Sequence, residues 1–340
     1  MSPVNEGRRR PVTLKEVAAK AGVSVSAVSL VANEKKNARI GEATRARVLQ
    51  AIEDLGYRPN ALAKNLVHGQ SRFIGLVADA IASTPFAGQI IHGAQVEAWR
   101  RGYVLLVANS EGNAEAENQA ISMLLEHKVH GILYSTWYHR QIELPVGLSE
   151  AETVLVNCFA DDGPLAVVPD EFDGGRAAAQ LLIDAGHERI AFINTVTPSP
   201  AREGRLAGYR AALADAGIAV DPALVLDADS AQEGGYASVE AVLASGATGV
   251  CCHNDRVAMG LYDGLRERGL RIPADLSVVG FDNQEIIAAH LRPGLSTVAL
   301  PHYELGVAGV RALLDGGPEA SERLTIACPP VVRESVRSLA

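Results

Sequence analysis

The chain has 340 residues, 48% hydrophobic and 21% charged, with a formal net charge of −9 at pH 7, enough for two or three domains with a sizeable core. No apolar run reaches the length of a membrane span, and the start MSPVNEGRRRP lacks the apolar stretch of a signal peptide. The four cysteines (Cys158, Cys251, Cys252, Cys328) show no CxxC or Cys/His metal spacing, so they read as reduced, mostly buried thiols of a cytosolic protein, with Cys251 and Cys252 on opposite faces of a strand.

The first twelve residues read as a flexible basic tail, in which Arg8, Arg9 and Arg10 suit either phosphate contact or plain solvation. From residue 13 the pattern turns helical. Thr13 and Glu16 have the spacing of a capping box, and Leu14, Val17, Ala18 and Ala21 form one apolar stripe. Gly22 can take the positive φ that ends a helix, and Ser24 can cap a second one. In that second helix Val28, Val31 and Ala32 suit a core, which leaves Val25, Ser26, Ser29 and Leu30 facing out. A third helix is expected at 42–55, with Val48, Ala51, Ile52 and Leu55 inward. Three short helices with a glycine turn between the first two fit a helix-turn-helix domain over 13–58. Charge supports a nucleic-acid partner: residues 1–70 carry 12 Lys/Arg against 6 Asp/Glu, and the remainder 19 against 34.

Pro59 forces an extended or turning backbone before it. Asn60 can cap a short helix, 61–67, and HGQSR is a polar connection, so 59–72 reads as hinge helix and linker. From Phe73 the pattern alternates between strands and helices: FIGLVADA, 88–101, YVLLVAN, 114–127, GILYS, TVLVN, 173–186, RIAFIN, 203–216, 233–244, TGVCCH, 255–268 and SVVGF. That order implies parallel sheets with helices on both faces.

Several ordered stretches make the chain recognisable: VTLKEVAAKAGVSVSAVS, ATRARVLQAIEDLGYRPNALAKNLVHGQSRFIGLV, HNDRVAMG and SVVGFDN. Together they resemble the lactose-repressor (LacI/GalR) family of bacterial transcription regulators, from about Val12 to Ser335. The resemblance implies an all-α helix-turn-helix domain followed, over 73–340, by an α/β two-lobed body like the periplasmic sugar-binding proteins, responsible for effector binding and dimerisation. The chain is expected to cross between lobes near Val168, near Val298 and again near residue 320. No tetramerising heptad tail is expected, since the sequence closes on VVRESVRSLA.

The family's second helix enters the major groove, which points to Val25, Ser26, Ala27, Ser29 and Leu30, with Asn33. Val25 and Ala27 suit a thymine methyl, and Ser26 makes a permissive polar contact. Lys35, Lys36 and Arg39 are expected on phosphates, against the alternative of a solvated loop. NALAKNLV matches the family's hinge helix, which forms on operator DNA and pairs with its two-fold mate in the minor groove. Leu66 holds the place of the wedge that kinks the duplex, Asn60 caps the helix, Ala63 allows close pairing, and Val67 stands where a small residue is common.

Ligand pockets in such folds open at the carboxyl ends of the strands. Candidates are Asp282 after SVVGF, Asn254 and Asp255 after TGVCCH, Asp170 after LAVVP, and Phe86 and Trp137 as aromatic walls. Asp255 suits a helix cap equally well. Arg205 matches a family arginine that reaches the ligand, and its fork can clamp a carboxylate or vicinal hydroxyls. SerThrPro at 83–85 replaces the family's usual Asn-Pro.

No G-x-S-x-G, P-loop, G-x-G-x-x-G or HExxH occurs, so no catalytic residue, metal or cofactor is expected. The expected partners are double-stranded operator DNA, a second copy of the chain and a small sugar-like effector, with no membrane. A non-sugar corepressor or a phosphoprotein partner stays open as the alternative, with a pure small-molecule binding protein behind it.

Overall fold

In the computed structural model the described residues are 10, 12–32, 40–57, 71–81, 84, 87–317 and 323–339. They fall into two compact units that divide between Ser71 and Arg72.

The first unit holds three helices, α1 (Leu14–Ala21), α2 (Val25–Ala32) and α3 (Glu42–Leu55). The Thr13 hydroxyl accepts from the Glu16 N–H, and the Glu16 carboxylate accepts from the Thr13 N–H at 2.7 Å. Gly22 sits at φ 66° and closes α1. Ser24 Oγ then accepts from Ala27 N–H at 3.2 Å and opens α2. Val17, Ala18 and Ala21 of α1, Val28 and Val31 of α2, and Val48 and Ala51 of α3 form the small core. Lys20 and Asp54 tie α1 to α3 at 2.8 Å.

The second unit begins with β1 (Phe73–Ala78), α4 (Gly88–Arg100), β2 (Val104–Asn109), α5 (Ala114–Glu126), β3 (Ile132–Gln141), β4 (Thr153–Phe159) and β5 (Ala166–Pro169). It continues with α6 (Glu171–Asp184), β6 (Ile190–Thr195), α7 (Pro200–Asp215), β7 (Val225–Ala228), α8 (Gln232–Ala237), α9 (Val239–Ala244), β8 (Gly249–Cys252) and α10 (Asp255–Glu267). Last come β9 (Ser277–Asp282), α11 (Glu285–Ala288), β10 (Ser296–Ala299), α12 (His302–Asp315), β11 (Arg323–Ile326) and β12 (Pro330–Val331).

These strands make two six-stranded sheets, ordered β11-β5-β4-β3-β1-β2 and β12-β10-β9-β8-β6-β7. All neighbours are parallel except the β10–β12 pair. The inner strands of each sheet are buried on both faces, which is why they read as continuous apolar runs, while the edge strands β2, β7 and β11 stay partly exposed. Cys251 packs in the core on one face of the second sheet and Cys252 in the core on the other. All four cysteines are buried and unpaired.

The chain leaves the first sheet after Pro169 and leaves the second after Ala299. The third crossing falls later than residue 320, because β11 adds an edge strand beside β5 before the chain returns to pair β12 with β10. The helix expected over 233–244 is two helices, α8 and α9, broken at Ser238, whose hydroxyl donates to Gly234 O at 2.7 Å. Among the described residues no helix is long and apolar enough to cross a membrane.

Candidate functional site

The first unit presents the outward face of α2. Val25 is 41% exposed, Ser26 is exposed, and Ala27, Ser29 and Leu30 are half-buried. Ser26 Oγ lies 2.9 Å from Ser24 Oγ, so the cap and the first reading position share a hydrogen bond. Asn33, Lys35, Lys36, Arg39, Asn60, Ala63 and Leu66 lie outside the described residues, as do Val67 and Phe86.

In the second unit a cavity of about 240 Å³ opens where the carboxyl ends of both sets of strands face each other. The first sheet supplies Trp137, Tyr138 and His139 from β3 and Asn157 from β4. The second supplies Thr195, Ser230, His253, Asn254 and Asp282 from the ends of β6 to β9. Glu171 begins α6, Arg205 and Ser199 belong to α7 and its cap, and Arg256 lies in the first turn of α10.

Four of the expected residues, Trp137, Arg205, Asn254 and Asp282, line this cavity; Asp170 and Asp255 do not. α6 starts at Glu171, two residues earlier than its apolar pattern suggested, so Asp170 becomes its N-cap and accepts from Asp173 N–H at 2.9 Å. Asp255 is fully buried behind the cavity. It accepts from Thr297 Oγ1 at 2.6 Å and from Gln284 N–H at 2.7 Å, and so joins α10 to β10 and to the loop after β9. The cap of α10 is Asn254, which accepts from Val257 N–H at 2.9 Å and still faces the cavity.

Trp137 does not follow its strand but stands within it. β3 runs six residues past Ser135, through an irregular register between Ser135 and Arg140. Asp79, buried at the end of β1, stabilises this extension. Its Oδ1 accepts from Trp137 N–H at 2.9 Å and its Oδ2 pairs with Arg140 at 3.1 Å. The Thr136 hydroxyl shares its single proton between Tyr138 O and Asn157 O, at 2.8 and 3.0 Å. The result is an aromatic wall, with Trp137 and Tyr138 edge to face at 4.7 Å.

Arg205 is 4% exposed. It donates to Glu171 at 2.7 Å and to His253 O at 2.5 Å, lies 3.6 Å from Asp282, and stacks 3.6 Å over the Phe281 ring. His139 Nδ1 meets the other Glu171 oxygen at 3.3 Å. Burial pushes the Glu171 carboxyl up, but Arg205 and His139 outweigh it and hold its pKa at about 2. Burial raises Asp282 to about 6 against the pull of Arg205. Asp255 is raised to about 8, by burial first and by Asp282 second. Burial drives His253 down to about 3, with Arg205 adding to it, and His302 down to about 4. His139 Nε2, His253 Nδ1 and Arg256 Nε are buried without a hydrogen-bond partner among the described residues. Buried polar atoms left unpaired in a cleft are what a bound polar ligand would satisfy.

Sequence reasoning missed Glu171, His139, Tyr138 and Arg256. The first two are recognisable only once α6 and β3 meet. Arg256 had a signal, since it sits two residues after Asn254 at a strand end. Among the described residues no group of three His, Cys, Asp or Glu side chains is placed to hold a metal ion.

Comparisons with known proteins agree with this architecture. Residues 13–60 match the model for bacterial regulatory proteins of the lacI family, and residues 179–336 match a periplasmic binding protein-like domain. The chain is 32% identical over 333 residues to the ribose operon repressor of Haemophilus influenzae, covering 96% of this chain and 99% of that one. It is likewise 32% identical over 337 residues to the HTH-type transcriptional repressor PurR of Photobacterium profundum, again covering 96% and 99%. Among solved structures, the lac repressor dimer bound to operator and the anti-inducer ONPF superposes with a TM-score of 0.79 at 27% identity, over 96% of this chain and 100% of that one. The chain belongs to the lacI family of bacterial regulatory proteins and is a DNA-binding transcription regulator, not an enzyme.

Proposed function

We propose that this regulator is a cytoplasmic homodimeric repressor whose grip on a pseudo-palindromic operator is set by a small, hydroxyl-rich effector held in the cavity of the second unit. The carrying observation is the cavity itself, with an aromatic wall on one side and buried polar atoms lacking partners on the other. Aromatic rings cover the apolar face of a sugar, and unpaired donors and acceptors take its hydroxyls. Trp137, Arg205, Asn254 and Asp282 are the proposed effector contacts. The ribose operon repressor among the relatives makes ribose the first compound to test.

On the DNA side, Val25, Ser26, Ala27, Ser29 and Leu30 are the proposed base-reading positions. Asn33 would extend that set, Lys35, Lys36 and Arg39 would hold the backbone, and Asn60, Ala63 and Leu66 would serve the hinge. Two-fold symmetry of the dimer calls for two half-sites.

Mobility shifts against promoter fragments from the gene's own neighbourhood, in a salt series, test the output. Site-specific binding that weakens steeply with salt is expected; equal affinity for every fragment would remove the operator from the proposal. A thermal-shift screen of sugars repeated with Trp137→Ala and Asp282→Asn tests the input, and a response equal to wild type in both variants would remove the cavity.

A further inference from the structure

We propose that the effector is an anion, a hydroxylated carbon skeleton bearing a carboxylate or phosphate that the Arg256 guanidinium receives. This rests on the assignment of the cavity as the effector site and adds its charge.

Two carboxylates and two guanidinium groups line the cavity. Both carboxylates are engaged: Glu171 by Arg205 and His139, and Asp282 by Gln284 Nε2 at 2.9 Å and, more distantly, by Arg205. Arg256 is in no ion pair among the described residues, and its Nε is buried with no partner. Of the two guanidinium groups lining the cavity it is the one with no carboxylate within ion-pair distance among the described residues, and its charge reaches Asp282 only at longer range. A neutral sugar closing over it would strip water from an unpaired charge, whereas an anion would pair with it.

The surroundings carry the same sign. The 16-residue α7 and the 13-residue α10 both present their N-termini to the cavity, through Ser199 and Asn254. Their dipoles place partial positive charge there, while Ser199 and Asn254 already accept from the Arg202 and Val257 N–H groups and Pro200 gives α7 no N–H at its first position. Beside them His253, 8% exposed, lines the same cavity, and its buried Nδ1 has no hydrogen-bond partner among the described residues. Burial holds that imidazole neutral, so it supplies a hydrogen bond and no compensating charge.

The test uses the full-length protein, calorimetry and thermal shift at fixed ionic strength, and matched probes: ribose with ribose 5-phosphate, glucose with glucose 6-phosphate, glucose with glucuronate, and inorganic phosphate alone. At least one anionic member should raise the melting temperature beyond its neutral partner. Arg256→Gln should weaken that ligand roughly 10- to 100-fold, and Arg256→Lys should restore part of the loss. The unliganded melting temperature of each variant is the fold control. Response to the phosphate esters alone assigns a phosphate; response to glucuronate alone assigns a carboxylate. A panel in which phosphate and every acid leave the melting temperature where the neutral sugar leaves it overturns the proposal, as does an anion response that Arg256→Gln leaves intact. A neutral sugar whose effect is lost in Trp137→Ala but kept in Arg256→Gln would sink the anion and leave the effector cavity standing.

Discussion

The sequence marks Arg205 as a candidate ligand contact, yet its side chain is already committed to Glu171, the His253 carbonyl and the Phe281 ring. Such burial is invisible in a linear pattern, which marks the residue but not its partners. Removing one member of a buried pair leaves the other charge uncompensated, so Glu171→Gln should destabilise the second unit by about 3–5 kcal/mol, read as a lower urea midpoint; a midpoint equal to wild type would mean that the pair contributes nothing. A lost effector response in Arg205→Ala would for the same reason mix fold with contact, so Asp282 and Trp137 are the better probes. Asp255 gives a second residue-level prediction. Its pKa of about 8 lies above the usual carboxylate value of 3.8, so the folded state keeps a proton that the unfolded state has released. Stability on that account falls as pH rises through the window up to 8. His253 and His302, buried neutral, act in the opposite sense and only below 6.5, where the unfolded chain takes up protons they refuse. Between pH 6.5 and 8 the proton held by the Asp255–Asp282 pair should therefore dominate and lower stability as the pH rises. Asp255→Asn keeps the acceptor for Gln284 N–H and should flatten that slope in paired urea titrations. A wild-type slope that is already flat would refute the assignment.

Three helix pairs in the second unit are closed by glycines that leave no room for a Cβ. One at Gly306 would lie 2.1 Å from Ile90 O, which locks α12 against α4. One at Gly208 would lie 2.0 Å from Phe172 O and one at Gly175 2.2 Å from Arg205 O, which locks α6 against α7. One at Gly260 would lie 1.8 Å from Gln232 O, which locks α10 against α8. All these neighbours are backbone, so a methyl group must move a helix. The α6–α7 contact also sets the distance between Glu171 and Arg205. Gly208→Ala should then cost roughly 1–3 kcal/mol of stability and weaken effector binding together, measured as the denaturation midpoint and the thermal-shift response; loss of stability with full effector response would uncouple the helix spacing from the site. Periodicity exposed the long elements, because helices such as α5 and α10 keep one apolar face over several turns. The series it gave left out α11, α12 and the short strands β5, β7, β10, β11 and β12, and it stopped β3 six residues short. Strands of two to four residues are too brief to show a period, and the β3 extension is stabilised by Asp79, nearly sixty residues earlier in the chain. That long-range bond is what brings Tyr138 and His139 to the cavity, so they were the part of the site hardest to read.

At the scale of the molecule, residues 1–70 carry a net charge of +6 and the rest −15. The opposed signs separate the two binding events: DNA affinity should fall steeply with salt through counterion release, while a buried cavity is screened far less. Joining them is a thermodynamic coupling, and coupling is reciprocal. If an effector weakens operator binding by some factor, operator must weaken effector binding by the same factor, typically about 5- to 150-fold. The chain offers a direct readout. It has two tryptophans, Trp137 in the cavity wall and Trp99, 61% exposed on α4. A Trp99→Phe background isolates Trp137, whose fluorescence should then report effector binding with and without operator duplex. Mobility shifts with and without effector give the same coupling from the DNA side. Equal factors from the two directions are expected. Unequal factors would mean that the ligand seen at Trp137 is not the one that moves the DNA-binding equilibrium, and the controlling site would then have to be sought elsewhere on the chain.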